Sequence, residues 1–393
     1  MQLDSSIAQL ISGDGRALSS ELHAMRRMLF PPTSEKKLRP FTSGEAAKLL
    51  GVADGYLRQI SIAGRGPVPD VGVGGRRSYS LDQINQLRHL LDQGSKGKKY
   101  VPRRTGAEHC QVLAVVNFKG GSGKTTTAAH LAQFLALHGY RVLAVDLDPQ
   151  ASLTALHGYQ PEFDIDANKT LYGAIRYDER RCSLESIIKP TYFAGLDIVP
   201  GNLELMEFEH DTPKALIQKG AEPFFGRIAT TLGSVQANYD VIVIDCPPQL
   251  GFLTLGALCA ATSVLITVHP QMLDVMSMCQ FLLMAADLLS VVQEAGAPLE
   301  YDFLRYLVTR YEPGDGPQTQ MVAFMRSLFR ERVLTNTMLK STAISDAGLS
   351  KQTLYEVGRE NFTRATYDRA VEALDAVNKE IEGLVKQAWR RDA

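Results

Sequence analysis

The run "NFKGGSGKTT", residues 117–126, restricts this chain more than any other stretch. Gly120, Gly121 and Gly123 stand between the apolar run "VLAVV" and a stretch of helical character from Thr125. Glycines let backbone N–H groups turn inward around phosphate oxygens, and a helix starting at the end of the loop adds the positive end of its dipole. A strand must lead into such a loop and a helix must leave it. Lys124 stands where a Gly-Lys-Thr loop places the lysine that reaches β- and γ-phosphates, and the Thr125 hydroxyl is the expected Mg²⁺ ligand. Ser122 and Thr126 complete the candidate cradle. Two features depart from the ordinary loop: Phe118 replaces its opening glycine, and a second lysine, Lys119, follows directly.

From Cys110 onward, "QVLAVVNF", "YRVLAVDLD", "LDIVP", "YDVIVIDCPP", "TSVLITVHP" and "FLRYLVTRY" are short β-branched runs. Helical stretches such as Thr125–His138 and Met276–Glu294 lie between them. Continuous apolar strands alternating with helices predict a doubly wound α/β domain over 110–393, with a mostly parallel sheet buried on both faces. Ligands in such folds bind beyond the C-terminal strand ends. Asp146 and Asp148 follow one strand and Asp245 another, which makes all three candidates for the magnesium site.

A chain of 393 residues with 45% hydrophobic and 22% charged residues reads as a soluble protein of two or three domains. No apolar run approaches the ~20 residues of a membrane helix, and "MQLDSSIAQL" lacks the pattern of a secretory signal. The five cysteines form no C-x-x-C pair, which fits a reducing cytoplasm. Charge is uneven. Residues 1–109 hold 17 Lys and Arg against 10 Asp and Glu, while the remainder is acidic. This suggests a basic module for a polyanion on an acidic body.

Residues 1–36 show an apolar start (Ile7, Leu10, Ile11), a break at Gly13-Asp14-Gly15, and a helical stripe of Leu18, Leu22, Met25 and Leu29. That stripe either packs on its own domain or makes a dimer contact. Over 37–93, "TSGEAAKLLGVADGYLRQI" predicts two short helices turning at Gly51, with Thr42/Ser43 as N-cap and Glu45 in capping reach. The second helix would present Tyr56, Arg58 and Gln59 to DNA. "GVGGRRSYSLDQI" would place Arg76 and Arg77 at the tip of a two-stranded wing. The segment resembles the winged helix-turn-helix of MerR-type regulators. Residues 94–109, rich in Gly, Lys, Arg and Pro, read as a basic linker able to touch DNA.

"KGGSGKTT", "DLDPQ" and "VIDCPPQLGFLTLGAL" resemble the deviant Walker motifs of the ParA ATPases, which partition bacterial plasmids and chromosomes. The agreement continues through "AATSVLITVHPQMLDVMSMCQFL" and loosely to about residue 360. With the N-terminal segment, the arrangement is most similar to the RepA branch, from RepABC plasmids. The resemblance implies ATP, ADP and Mg²⁺ as ligands and a homodimer in which Lys119 reaches the partner's phosphates. It also implies that Lys124 and Asp148 are catalytic, with Asp148 positioning the attacking water and Asp146 supporting the magnesium shell. Further implications are hydrolysis stimulated by a ParB-type (RepB-like) partner, non-specific nucleoid DNA binding through Arg310, Arg330 and Lys340, and operator binding with autorepression. A cytoplasmic, nucleoid-associated protein is expected. Gly256 departs from the asparagine of many relatives, which puts a polar contact from that position in doubt.

At the C-terminus, Val371, Leu374, Val377, Ile381 and Leu384 form one helical stripe, widened by Val385 and Trp389. Glu372, Asp375, Glu380 and Glu382 would be repelled by anionic lipid. Packing on the body is therefore expected, not membrane binding. Two other readings remain at this level: a repressor that uses nucleotide as a structural ligand, and a membrane ATPase similar to MinD.

Overall fold

The computed structural model describes residues 6–29, 36–95, 99–217, 222–297 and 299–391. The chain divides into two units, Met1–Lys37 and Leu38–Ala393. In the first, helix α1 (Ile7–Leu29) runs unbroken through Gly13 and Gly15, so the expected break is absent. Each interior glycine costs only about 1 kcal/mol relative to alanine, and the flanking Ala, Leu and Gln residues favour helix. Ile7, Leu10, Ile11 and Leu18 are exposed. The side chains of Leu22, Met25 and Leu29 lie outside the described residues.

The second unit opens with β1 (Phe41–Thr42), α2 (Ser43–Leu50) and α3 (Asp54–Ile62). Thr42 and Glu45 form the expected capping box on α2, and Gly51 ends it at φ +63, a conformation that favours glycine. Strands β2 (Asp70–Val71) and β3 (Arg77–Tyr79) follow, then α4 (Leu81–Gly94), itself capped by Ser80 and Gln83. The three strands pair antiparallel in the order β1-β3-β2. Leu50, Leu57, Ile60, Tyr79 and Leu87 close a small core continuous with that of the body.

All six expected strands form: β4 (Gln111–Val116), β5 (Val142–Asp146), β7 (Leu196–Val199), β8 (Val241–Asp245), β9 (Ser263–Val268) and β10 (Phe303–Val308). A short β6 (Lys189–Pro190) joins antiparallel at one edge, giving the order β10-β9-β4-β8-β5-β7-β6. Successive residues of β4 face opposite cores, Leu113 and Val115 one side and Val112, Ala114 and Val116 the other. One face carries α5 (Lys124–Leu137) and, after α6 (Ser152–Leu156), α7 (Leu171–Ile175), α8 (Met206–Ile217), α9 (Phe224–Gly233) and α10 (Phe252–Ala260), the opposite core takes over. The chain continues through α11 (Met272–Glu294), α12 (Gly316–Phe329), α13 (Thr342–Leu349) and α14 (Arg364–Ala388).

Helix α14 packs as expected: Leu374, Val377, Ile381, Val385 and Trp389 are buried against the core shared with α5. Residues 99–109 are pinned to the body. Arg104 donates to the carbonyls of Tyr239 and Gln236, and Arg391 at the end of α14 grips Pro102 O, Arg103 O and Glu108. Arg104 is therefore occupied by protein carbonyls. Helix α11 is by length and composition alone apolar enough to cross a membrane, with mean hydropathy 1.9 over its most apolar window. Asp274 and Asp287 interrupt it, so no uncharged stretch in it reaches that length. One side, through Met278, Phe281 and Ala285, is buried in the core on that face of the sheet.

Candidate nucleotide site

The sheet order brings the charged motifs together. Strand β8 lies between β4 and β5, so the glycine loop, the Asp146–Asp148 segment and Asp245 leave three adjacent strands on one edge. Asp146 and Asp245 are direct cross-strand neighbours. Gly121 (φ +77) and Gly123 (φ +85) hold left-handed conformations that turn the loop, and α5 starts directly after it at Lys124.

Residues the motif does not contain brace this loop. Asn117 donates to Thr267 O and accepts the Lys119 N–H at 2.9 Å. Thr309 Oγ1 donates to Ser122 O at 2.7 Å, and Ser122 Oγ lies 3.0 Å from Thr267 Oγ1. A Cβ on Gly123 would meet Thr309 at 3.4 Å. These supports come from the ends of β4, β9 and β10, and only the strand order reveals them.

Asp146 is fully buried; Oδ2 accepts from Thr154 N (2.8 Å) and Thr154 Oγ1 (2.7 Å), and Oδ1 from Asp148 N (3.2 Å). Its oxygens hold the segment that carries Asp148, which suits indirect support of a metal and not direct ligation. Burial pushes its carboxyl up to about 7. Asp245 differs: both carboxylate oxygens are buried with no hydrogen-bond partner among the described residues. Burial, then the charge of Asp146, drives its carboxyl well above the usual range. A buried carboxyl of this kind ionises readily only beside a cation, so the site suits one. Lys124, 6% exposed, is its near countercharge, and burial in turn lowers the lysine.

No cluster of three metal-ligating side chains exists among the described residues. Magnesium held through one or two carboxylates, a hydroxyl and substrate phosphates needs none, so Thr125 and Asp245 fit it. Above the loop opens a cavity of about 540 Å³, lined by Gly120–Gly121, Gly123–Thr126, Asp148, Pro248, Arg310 and the 338–345 stretch. Ser341, Ile344 and Ser345 on its far wall carried no motif.

The family described as an AAA domain matches residues 110–293. A Rhizobium rhizogenes protein provisionally named replication protein A is 57% identical over 392 residues, covering 98% of this chain and 96% of that one. Protein SopA of Escherichia coli K12 is 33% identical, covering 91% and 92%. The chain belongs to the ParA family of partition ATPases, in its RepA branch. A solved structure named "Partition Protein" shares the fold over 95% of this chain and 98% of its own, with TM-score 0.66 at 18% identity. Cobyrinic acid a,c-diamide synthase from Mycobacterium smegmatis, solved with an ATP analogue and magnesium, covers 61% of this chain and 94% of its own, with TM-score 0.50 at 28% identity.

Within this ParA fold the second lysine is not free. Lys119 Nζ lies 2.7 Å from Asp274 Oδ2 in the first turn of α11, with the lysine 40% and the aspartate 8% exposed. Arg310 and Lys340, expected to contact DNA, both line the cavity. Arg310 (φ +53) donates to Gly121 O at 3.1 Å, and Lys340 pairs with Glu312 at 2.9 Å. Arg330 is exposed after α12. Tyr56, Arg58 and Gln59 are exposed on α3; Arg76 is exposed in the β2–β3 turn and Arg77 half-buried at its edge. The Gly256 departure is a packing matter: a Cβ there would lie 3.0 Å from Ile228 Cδ1, because α10 crosses α9 at that point. The position is not among the residues that line the cavity.

Proposed function

We propose that this chain binds ATP and Mg²⁺ in the 540 Å³ cavity, dimerises when loaded, and hydrolyses ATP slowly until a ParB-type partner and DNA accelerate it. The observation that carries the reading is the unpartnered, buried Asp245 carboxylate beneath a glycine loop flanked by Lys124 and Lys119. Loop N–H groups from Gly120 to Thr125 would hold phosphate oxygens, and Lys124 would offset their charge. Bound magnesium would supply charge neutralisation at the β- and γ-phosphates, with Thr125 and Asp245 holding it. Asp148, half-exposed on the cavity wall, would orient the attacking water. Arg310 and Lys340 line the same cavity, where their charges would also meet phosphate oxygens.

Lys119 would leave Asp274 and reach the phosphates of a second copy, where close-set negative charge needs an added cation. After hydrolysis that attraction weakens and the dimer separates, leaving ADP bound. The α2–α3 pair and the β2–β3 turn act as a winged helix-turn-helix that binds operator DNA and represses its own operon. The nucleotide-loaded dimer would also hold nucleoid DNA without sequence preference, through Arg330 among others, and this binding would weaken steeply with salt. Calorimetric titration with ATP and magnesium tests the site: the unaltered chain should bind and Lys124→Gln should bind far more weakly. Equal affinity in the two would remove the proposal.

A further inference from the structure

Arg88 on α4 is 2% exposed, yet no carboxylate lies within ion-pair distance of it among the described residues. Its guanidinium donates instead to two helix C-termini. Nη2 reaches Leu137 O, the last residue of α5, at 2.5 Å and Leu49 O, near the end of α2, at 3.3 Å; Nη1 is held by Asn85 at 2.5 Å. Burial without an acidic partner lowers its pKa to about 10, which leaves it charged at neutral pH. The negative ends of two helix dipoles are its countercharge. Gly139, just past α5 at φ +96, makes room: a Cβ there would lie 2.8 Å from Arg88 Cδ.

The two helices it joins have different tasks. Helix α5 begins at the phosphate loop, runs ~20 Å at 1.5 Å per residue, and is buried along nearly its whole length. It therefore moves as one rod. Helix α2 supports exposed α3, and Ser43 at its start bonds Asp54 at the start of α3. Beside this joint, a cavity of about 230 Å³ lined by Phe41, Leu49, Phe134, Tyr355 and Tyr367 leaves room for α2 to shift. An apolar side chain would fill the Arg88 position at lower desolvation cost, so a packing role alone does not account for the guanidinium.

We propose that Arg88 is a positioning residue that carries the nucleotide state of the loop, through α5, to the α2–α3 pair. This rests on the reading that the cavity binds ATP; it names the residue through which nucleotide sets the DNA affinity of the N-terminal module. The test is hydrogen–deuterium exchange on the full chain, with and without ATPγS and magnesium, comparing the unaltered protein with Arg88→Met and Arg88→Lys. In the unaltered chain, exchange over residues 43–62 should change on nucleotide addition. Both variants should lose most of that change while keeping nucleotide affinity within about twofold: methionine donates no hydrogen bond, and lysine lacks the planar two-nitrogen fork that Asn85 holds at Nη1 while Nη2 reaches the two carbonyls. If Arg88→Met fails to fold, Arg88→Lys, which keeps the charge, carries the comparison. A nucleotide response at 43–62 that persists in full in Arg88→Lys, or that is missing from the unaltered chain, overturns the proposal. Loss of operator binding with the exchange response intact would remove only the repressor reading. Absence of nucleotide binding would remove both.

Discussion

Lys119 faces two claims on its charge, one from Asp274 in its own chain at 2.7 Å and one from a second copy's phosphates. An ion pair with one member 40% exposed contributes at most about 1 kcal/mol. Asp274→Asn should therefore tighten ATP-dependent self-association by about fivefold, measured by sedimentation velocity; unchanged association would show that the pair does not compete. His130, nearly two turns into α5, supplies a pH dependence. Its Nδ1 donates to Thr126 O and its Nε2 accepts the Leu354 N–H, so the neutral ring is required. Burial lowers its pKa from the ordinary 6.5 to about 4. The unfolded chain takes up this proton first. The stabilisation is thus complete above pH 6.5 and declines as pH falls toward 4, by up to about 1.4 kcal/mol per pH unit. His130→Gln should flatten denaturant-measured stability across that window.

At the scale of elements, the glycine loop and six strands were legible because buried parallel strands read as unbroken apolar runs and their ends carry charge. Strand β6 was not: two residues with a proline, paired only at an edge, leave no periodic signal. At Gly13 and Gly15 helix α1 continues because the helix formers on both sides outweigh two isolated glycines. Asn117, Thr267 and Thr309 stayed hidden because their roles depend on β4, β9 and β10 being neighbours. The placement of Arg310 and Lys340 likewise follows from where β10 ends, which motif spacing does not encode. The α9–α10 crossing yields its own prediction. Gly256→Asn would force Ile228 aside, so thermal unfolding should show a loss of about 1–3 kcal/mol. ATP turnover at low temperature should persist, since the position packs on Ile228 and is not among the residues lining the cavity; a selective loss of turnover would contradict that placement.

Across the whole molecule, the proposed ATP-dependent pairing of two copies acts on the α2–α3 module at the far end of α5. The central proposal is that each catalytic site is completed by a lysine from the other copy. Mixing two inactive variants tests this directly. Lys119→Gln keeps its own Asp148, and Asp148→Ala keeps its own Lys119, so a mixed dimer contains one complete site if Lys119 acts across the interface. Steady-state ATP hydrolysis with DNA present should fall by ~100-fold or more in each variant alone. An equal mixture should recover to about a quarter of the unaltered rate, since about half the dimers are mixed and each has one working site of two. A mixture no more active than the mean of the two variants would contradict the claim.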